Sequence, residues 1–145
     1  MIVVAIVTIT ADQLTKWVAR GAFTPDDPVR VLPFFQFTNT RNMGIAFGQF
    51  QDNQLIVIAL SIVAIAWMMV YFARAGGRHN LLPVALGLLA GGAVSNLFDR
   101  ITQGYVTDFL QISYFPVFNL ADTAITCGVI LLLVTLVSGE RARPA

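Results

Sequence analysis

The sequence predicts a membrane protein, all-α with a small β element and built on four transmembrane helices, and three observations predict it. AVILMFWYC residues make up 57% of the 145-residue chain and charged residues 12%, where a soluble domain has roughly 45–50% apolar and about 25% charged residues. Mean hydropathy is +0.73, more apolar surface than so short a chain can enclose, because small domains bury only about 60–70% of what they expose unfolded. Four apolar runs each approach the roughly 20 helical residues that a hydrocarbon core about 30 Å thick requires. A soluble enzyme, a disordered chain and a disulfide scaffold are thereby excluded. The whole chain, 1–145, is read as a single polytopic membrane domain.

The first run, Ile2–Ala19, superficially resembles a signal peptide, with Ala19-Arg20-Gly21 as a small-residue cleavage site. No basic stretch precedes it and Asp12, Lys16 and Arg20 interrupt its second half, so a retained helix is expected. The other runs are Gln54–Phe72, Leu81–Phe98 and Asn119–Val137. The short connection 73–80 holds Arg74 and Arg78 without an acid, and Arg141 and Arg143 lie in the tail. That density of cations places both termini in the cytoplasm by the positive-inside rule, and the long loops 21–53 and 99–118 on the outer face. In the first of these, Val29-Arg30-Val31 and Phe35-Gln36-Phe37-Thr38 alternate around Pro33, the pattern of a short sheet on the membrane surface. Residues Asn42 to Gly48 mix turn formers with aromatics suited to the headgroup region.

Nine Lys/Arg against eight Asp/Glu give a net charge of +1, with no basic stripe for a nucleic acid to follow. Cys127 lies alone in an apolar run and is expected to pack as a small hydrophobe. With one His, in the short connection, there is no Ser/His, Cys/His or metal-ligand arrangement, and neither a metal nor an organic cofactor is expected.

Polar groups in or beside spans are the informative residues, since each is costly unless paired or solvated. They are Asp12, Lys16, Asn96, Asp99, Arg100, Asn119 and Asp122, with Asp108 in the second long loop. All are expected toward the outer helix ends, around one polar pocket. Asp12 and Lys16 are four apart and read as a neutralised pair. Gly87, Gly91 and Ser95 form a small-residue stripe for close helix packing. Asn119 can cap the fourth helix, with Asp122 in its first turn. Asp108 and Asp122 would each be unremarkable alone, as a loop acid and a helix-start acid. Together, on one side of the membrane, they can share a proton, one drawing a proton from water while the other donates to the carbonyl under attack.

Asp12-Gln13-Leu14-Thr15-Lys16, then Asn42 to Phe47, then Gly91 to Arg100, then Gly104 to Phe109, and finally Phe118-Asn119-Leu120-Ala121-Asp122 resemble, in order, the motifs of bacterial lipoprotein signal peptidase, or signal peptidase II. The resemblance spans nearly the whole chain. It implies an aspartic endopeptidase of the bacterial inner membrane, monomeric and without cofactor, that works among membrane lipid. Its substrate would be a diacylglyceryl-modified prolipoprotein, cut just before the lipidated cysteine. Asp108 and Asp122 match the catalytic dyad. Asn42, Arg100, Asn119 and Asn96 match positions that hold substrate or the inhibitor globomycin, and Asp12 with Lys16 matches a structural pair. The first long loop would form a periplasmic surface β-cradle and a lid. Ser95 stands where the family has Gly, and both are small. Arg100 could meet a lipid phosphate or a dyad carboxylate.

Two other classes stand beside this reading. A small transporter or channel subunit predicts acids spread through the membrane depth and helices broken near the midplane. A structural assembly factor predicts that Asp108 tolerates substitution.

Overall fold

The computed structural model describes residues 1–44, 53–75 and 81–141. Four helices and three strands follow one another as α1 (Ile2–Ala22), β1 (Val29–Leu32), β2 (Phe35–Asn42), α2 (Gln54–Ala75), α3 (Leu82–Gln103), β3 (Val106–Ile112) and α4 (Leu120–Arg141). By length and composition α1 and α3 can each cross a membrane, and α2 and α4 contain the shorter apolar stretches Leu55–Met68 and Leu120–Thr135. Outward-facing Ile6, Trp17, Leu55, Trp67 and Leu133 are all more than half exposed, the arrangement expected where lipid rather than water is the neighbour.

α3 is the hub, packed on α1, α2 and α4. Its small-residue stripe seats α1 as the sequence predicts. A β-carbon at Gly87 would strike the Met1 carbonyl and Val4, and one at Gly91 the Ala5 carbonyl and Thr8. A second set of glycines, unremarked in the sequence, does the same for α4: Gly92 abuts the Ala121 carbonyl and Gly128 the Ala85 carbonyl. Leu82, Leu86 and Leu89 form the apolar core with Met68 and Ile125.

The helices outrun their expected ends, and the extension of α3 matters most. It continues past Phe98 to Gln103, where Gly104 at φ 83° closes it by donating its N–H to the Arg100 carbonyl. Asp99 and Arg100 therefore sit on the helix instead of opening the loop. Asp12 is a further departure, since it lies midway along α1 and not toward an end. The expected turn and aromatic segment up to Gly48, together with Arg78, His79 and Arg143, lies largely outside the described residues.

β1 and β2 pair antiparallel as part of the expected short sheet, but the sheet has a third strand. β3, from the second long loop, pairs antiparallel with β2 in the order β1-β2-β3. The register slips between Phe37↔Leu110 and Thr40↔Asp108, so β2 carries one extra residue, a bulge that re-aims the side chains beyond it.

Candidate active site

The bulge decides what faces Asp108. Thr40 lies directly opposite it, which puts Asn42, two residues further on, on the same face at the diagonal position. Asn42 Nδ2 accordingly donates to Asp108 Oδ2 at 2.8 Å. The other side of Asp108 is set by the chain's return. After a turn in which Tyr114 adopts φ 65°, Phe118 pairs with Leu110, its N–H donating to the Leu110 carbonyl at 2.9 Å. That pins the next residue beside β3, and Asn119 Nδ2 donates to Asp108 Oδ1 at 2.7 Å.

Asn119 also starts α4. Its Oδ1 accepts the Asp122 N–H at 2.9 Å, and Asp122 Oδ2 accepts the Asn119 N–H at 3.3 Å. This is a reciprocal capping box that fixes the Asp122 carboxylate against the helix start. Asn96, on α3, donates from Nδ2 to Asp122 Oδ1 at 2.8 Å. Asp108 and Asp122 are thus brought together, bridged by Asn119.

Asp108 is 2% exposed, and its carboxyl is pushed up to about 7. Burial is the main cause, and the nearby Asp122 charge adds to it. The amides of Asn42 and Asn119 and the charge of Lys16 pull the other way.

A cleft of about 790 Å³ opens between α2, α3 and α4. Asn42, Asn96, Arg100 and Asp122 line its polar part, and Val57, Leu60, Ala64, Leu89 and Ile125 its apolar wall. Arg100 turns inward, with Nη2 donating to the Gly44 carbonyl at 3.0 Å. Cys127, expected in the packed interior, is exposed and also borders the cleft. Among the described residues no group of three or more His, Cys, Asp or Glu could hold a metal ion.

Asp12 and Lys16 do pair, at 2.7 Å with both side chains fully buried, but the pair belongs to a larger cluster. Lys16 Nζ also meets Asp99 Oδ2 at 3.0 Å and Asn96 Oδ1 at 2.8 Å. Asp12 Oδ1 accepts the Ala121 N–H at 2.7 Å. Ser95 does more than keep helices close, since its hydroxyl donates to Asp12 Oδ2 at 2.7 Å and accepts from Gln13 Nε2 at 2.9 Å. Gln13 reaches Asp99 as well. Asp99 is fully buried; apart from the motifs that contain them, the sequence marks Asp99 by polarity at the end of an apolar run and Gln13 by polarity within one.

Residues 4–138 match the family model described as signal peptidase (SPase) II. The chain is similar to the lipoprotein signal peptidase of Symbiobacterium thermophilum, 41% identical over 97% of this chain and 95% of that one. It is likewise similar to that of Acinetobacter baylyi, 42% identical over 96% and 82%. Among solved structures, one described as a bacterial membrane enzyme superposes with a TM-score of 0.91 at 29% identity, covering 99% of this chain and 92% of its own. A second of the same description reaches 0.84 at 31% identity, covering 93% and 90%.

Proposed function

The chain belongs to the signal peptidase II family, peptidases that remove signal peptides from prolipoproteins, and from that premise we propose that Asp108 and Asp122 form an aspartic dyad. The observation that carries this reading is the pair of carboxylates bridged by Asn119, with Asp122 lining the polar part of the cleft and Asp108 buried against Asn119. Asp122 borders the cleft and takes the proton of the attacking water. Asp108, whose carboxyl is held up to about 7, is protonated and donates to the carbonyl oxygen of the scissile peptide. The water oxygen adds to the carbonyl carbon, giving a tetrahedral diol. The carbon–nitrogen bond then breaks as Asp122 passes its proton to the leaving nitrogen and Asp108 recovers its own.

The apolar wall of the cleft suits a signal-peptide helix or acyl chain arriving through lipid, with water and acids needed only at its polar part. We read the substrate as a diacylglyceryl-modified prolipoprotein, cut just before the lipidated cysteine. Asn42, Arg100, Asn119 and Asn96 contact it or hold the groups that do. The protein is one monomeric domain whose four helices all cross the inner membrane, with both termini cytoplasmic and the sheet at the outer face.

Asp108→Asn and Asp122→Asn, purified in detergent, test the dyad on a diacylglyceryl-modified prolipoprotein. Each is expected to lower turnover by roughly 10²–10⁴-fold or more, the range of general acid–base catalysis, with an unchanged elution profile. Turnover retained by either folded variant would sink the assignment.

A further inference from the structure

The oxygen and nitrogen of an asparagine amide are nearly the same size, so only their partners decide which way the amide points. Two contacts around Asn96 and Asn119 are one-way. The Lys16 ammonium can only donate, and it meets Asn96 Oδ1 at 2.8 Å. The Asp122 backbone N–H can only donate, and it meets Asn119 Oδ1 at 2.9 Å. With both oxygens taken, both nitrogens turn to the acids, Asn96 Nδ2 to Asp122 Oδ1 at 2.8 Å and Asn119 Nδ2 to Asp108 Oδ1 at 2.7 Å. Asn119 Nδ2 also lies 3.1 Å from Asn96 Oδ1, so the two amides are in register. A flipped Asn96 would turn its NH₂ on the ammonium and on the Asn119 amide, and its oxygen on the Asp122 carboxylate. All three side chains, Lys16, Asn96 and Asn119, are buried, where mispaired polar groups are not relieved by water.

We propose that Lys16 is a positioning residue for the dyad: through Asn96 it fixes the polarity of the amide pair so that each acid receives one amide donor, and so keeps Asp122 ionised for its work as base. The proposal rests on the dyad reading. Lys16 is itself anchored by Asp12 and Asp99 at 2.7 and 3.0 Å, which hold its ammonium where Asn96 needs it. The charged groups facing Asp122 are Lys16 and Asp12 from α1, Arg100 from α3 and Asp108 from β3, with Asp99 of α3 beyond Lys16. α2 carries one charged residue, Arg74, in its last turn.

Lys16→Met combined with Asp99→Asn removes the donor to Asn96 while keeping the net charge of the buried cluster, and Asn96→Leu removes the amide itself. In the purified full-length enzyme each is expected to lower kcat about tenfold or more, with KM within about threefold. The acid limb of the kcat–pH profile should move up by about one pH unit, because a base losing a hydrogen bond to its charged form is protonated more readily. The triple variant should fall no further than its worse parent, as residues acting in series do. A wild-type acid limb in either variant, or additive losses in the triple, overturns the proposal. Should the charge-neutral pair fail to fold, Asn96→Leu and Asn96→Asp carry the same reading. The latter still accepts from Lys16 but cannot donate to an ionised Asp122, and an unmoved limb in both overturns it. Failure of the dyad reading is separate, being turnover in Asp122→Asn.

Discussion

Two groups of acids lie within one bundle, and different chemistry holds them. Asp12 and Asp99 flank the Lys16 ammonium in direct ion pairs, whereas Asp108 and Asp122 receive amide N–H groups from Asn42, Asn119 and Asn96. An ammonium neutralises an acid and turns it into a strut between helices. An amide supplies a hydrogen bond without a full charge, so the acid it holds still feels its burial, as Asp108 does with its carboxyl raised to about 7. By the proposal above, the same residue type serves as frame in one group and as reagent in the other, and the partner makes the difference.

The contrast can be broken most forcefully at Lys16. Lys16→Met alone leaves Asp12 and Asp99 buried without their cation, and a cost of about 3–5 kcal/mol is expected. It would be read as a large loss of melting temperature in detergent, and a melting temperature like that of the wild type would show that the cluster is no frame.

Asp108→Asn should behave in the opposite sense. The folded carboxyl binds its proton up to about pH 7, while an unfolded one releases it near 4. The contribution of Asp108 to stability is therefore most favourable below about pH 4 and declines as the pH rises to about 7, by an amount of the order of 4 kcal/mol. The Asn variant, inactive by the proposal above, should lack that decline. Leaving one of the two donor amides without an acceptor costs it about 1 kcal/mol at every pH. Melting at pH 5 and pH 8 checks the sign, and equal slopes for the two proteins would show that burial does not hold the Asp108 carboxyl up.

The smallest effect sharpens the contrast. Ser95→Gly deletes the hydroxyl that donates to Asp12 but leaves the ion pair, so a loss of about 1 kcal/mol is expected, with kcat and its pH dependence unchanged. A moved pH profile would mean that Asp12 needs the Ser95 hydroxyl in order to hold Lys16 in place for Asn96.

Much of this was legible in the sequence because it is written locally. Apolar runs mark the helices, a four-residue spacing marks Asp12 with Lys16, and Asn119 followed three residues later by Asp122 marks a cap. What was not legible depends on partners far along the chain. Asp99 reads as a polar residue at a helix edge until Gln13, 86 positions away, and Lys16 are found on it. Ser95 reads as a small residue until its hydroxyl reaches Asp12 across 83 positions. The pairing of β3 with β2 is equally hidden, since alternation within a strand says nothing of its neighbour. The bulge that brings Asn42 onto Asp108 is a matter of register, set by tertiary packing.

The bond from the Ala121 N–H to Asp12 joins residues 109 apart, the middle of the first helix to the opening of the last. Through most of synthesis Asp12 awaits its backbone donor, and the segment that will seat Asp122 has not emerged. A chain halted before α4 would hold Asp108 without its companion. If the two acids act as proposed, the site is assembled only once α4 has been made and docked, and a chain that lacks this helix is silent.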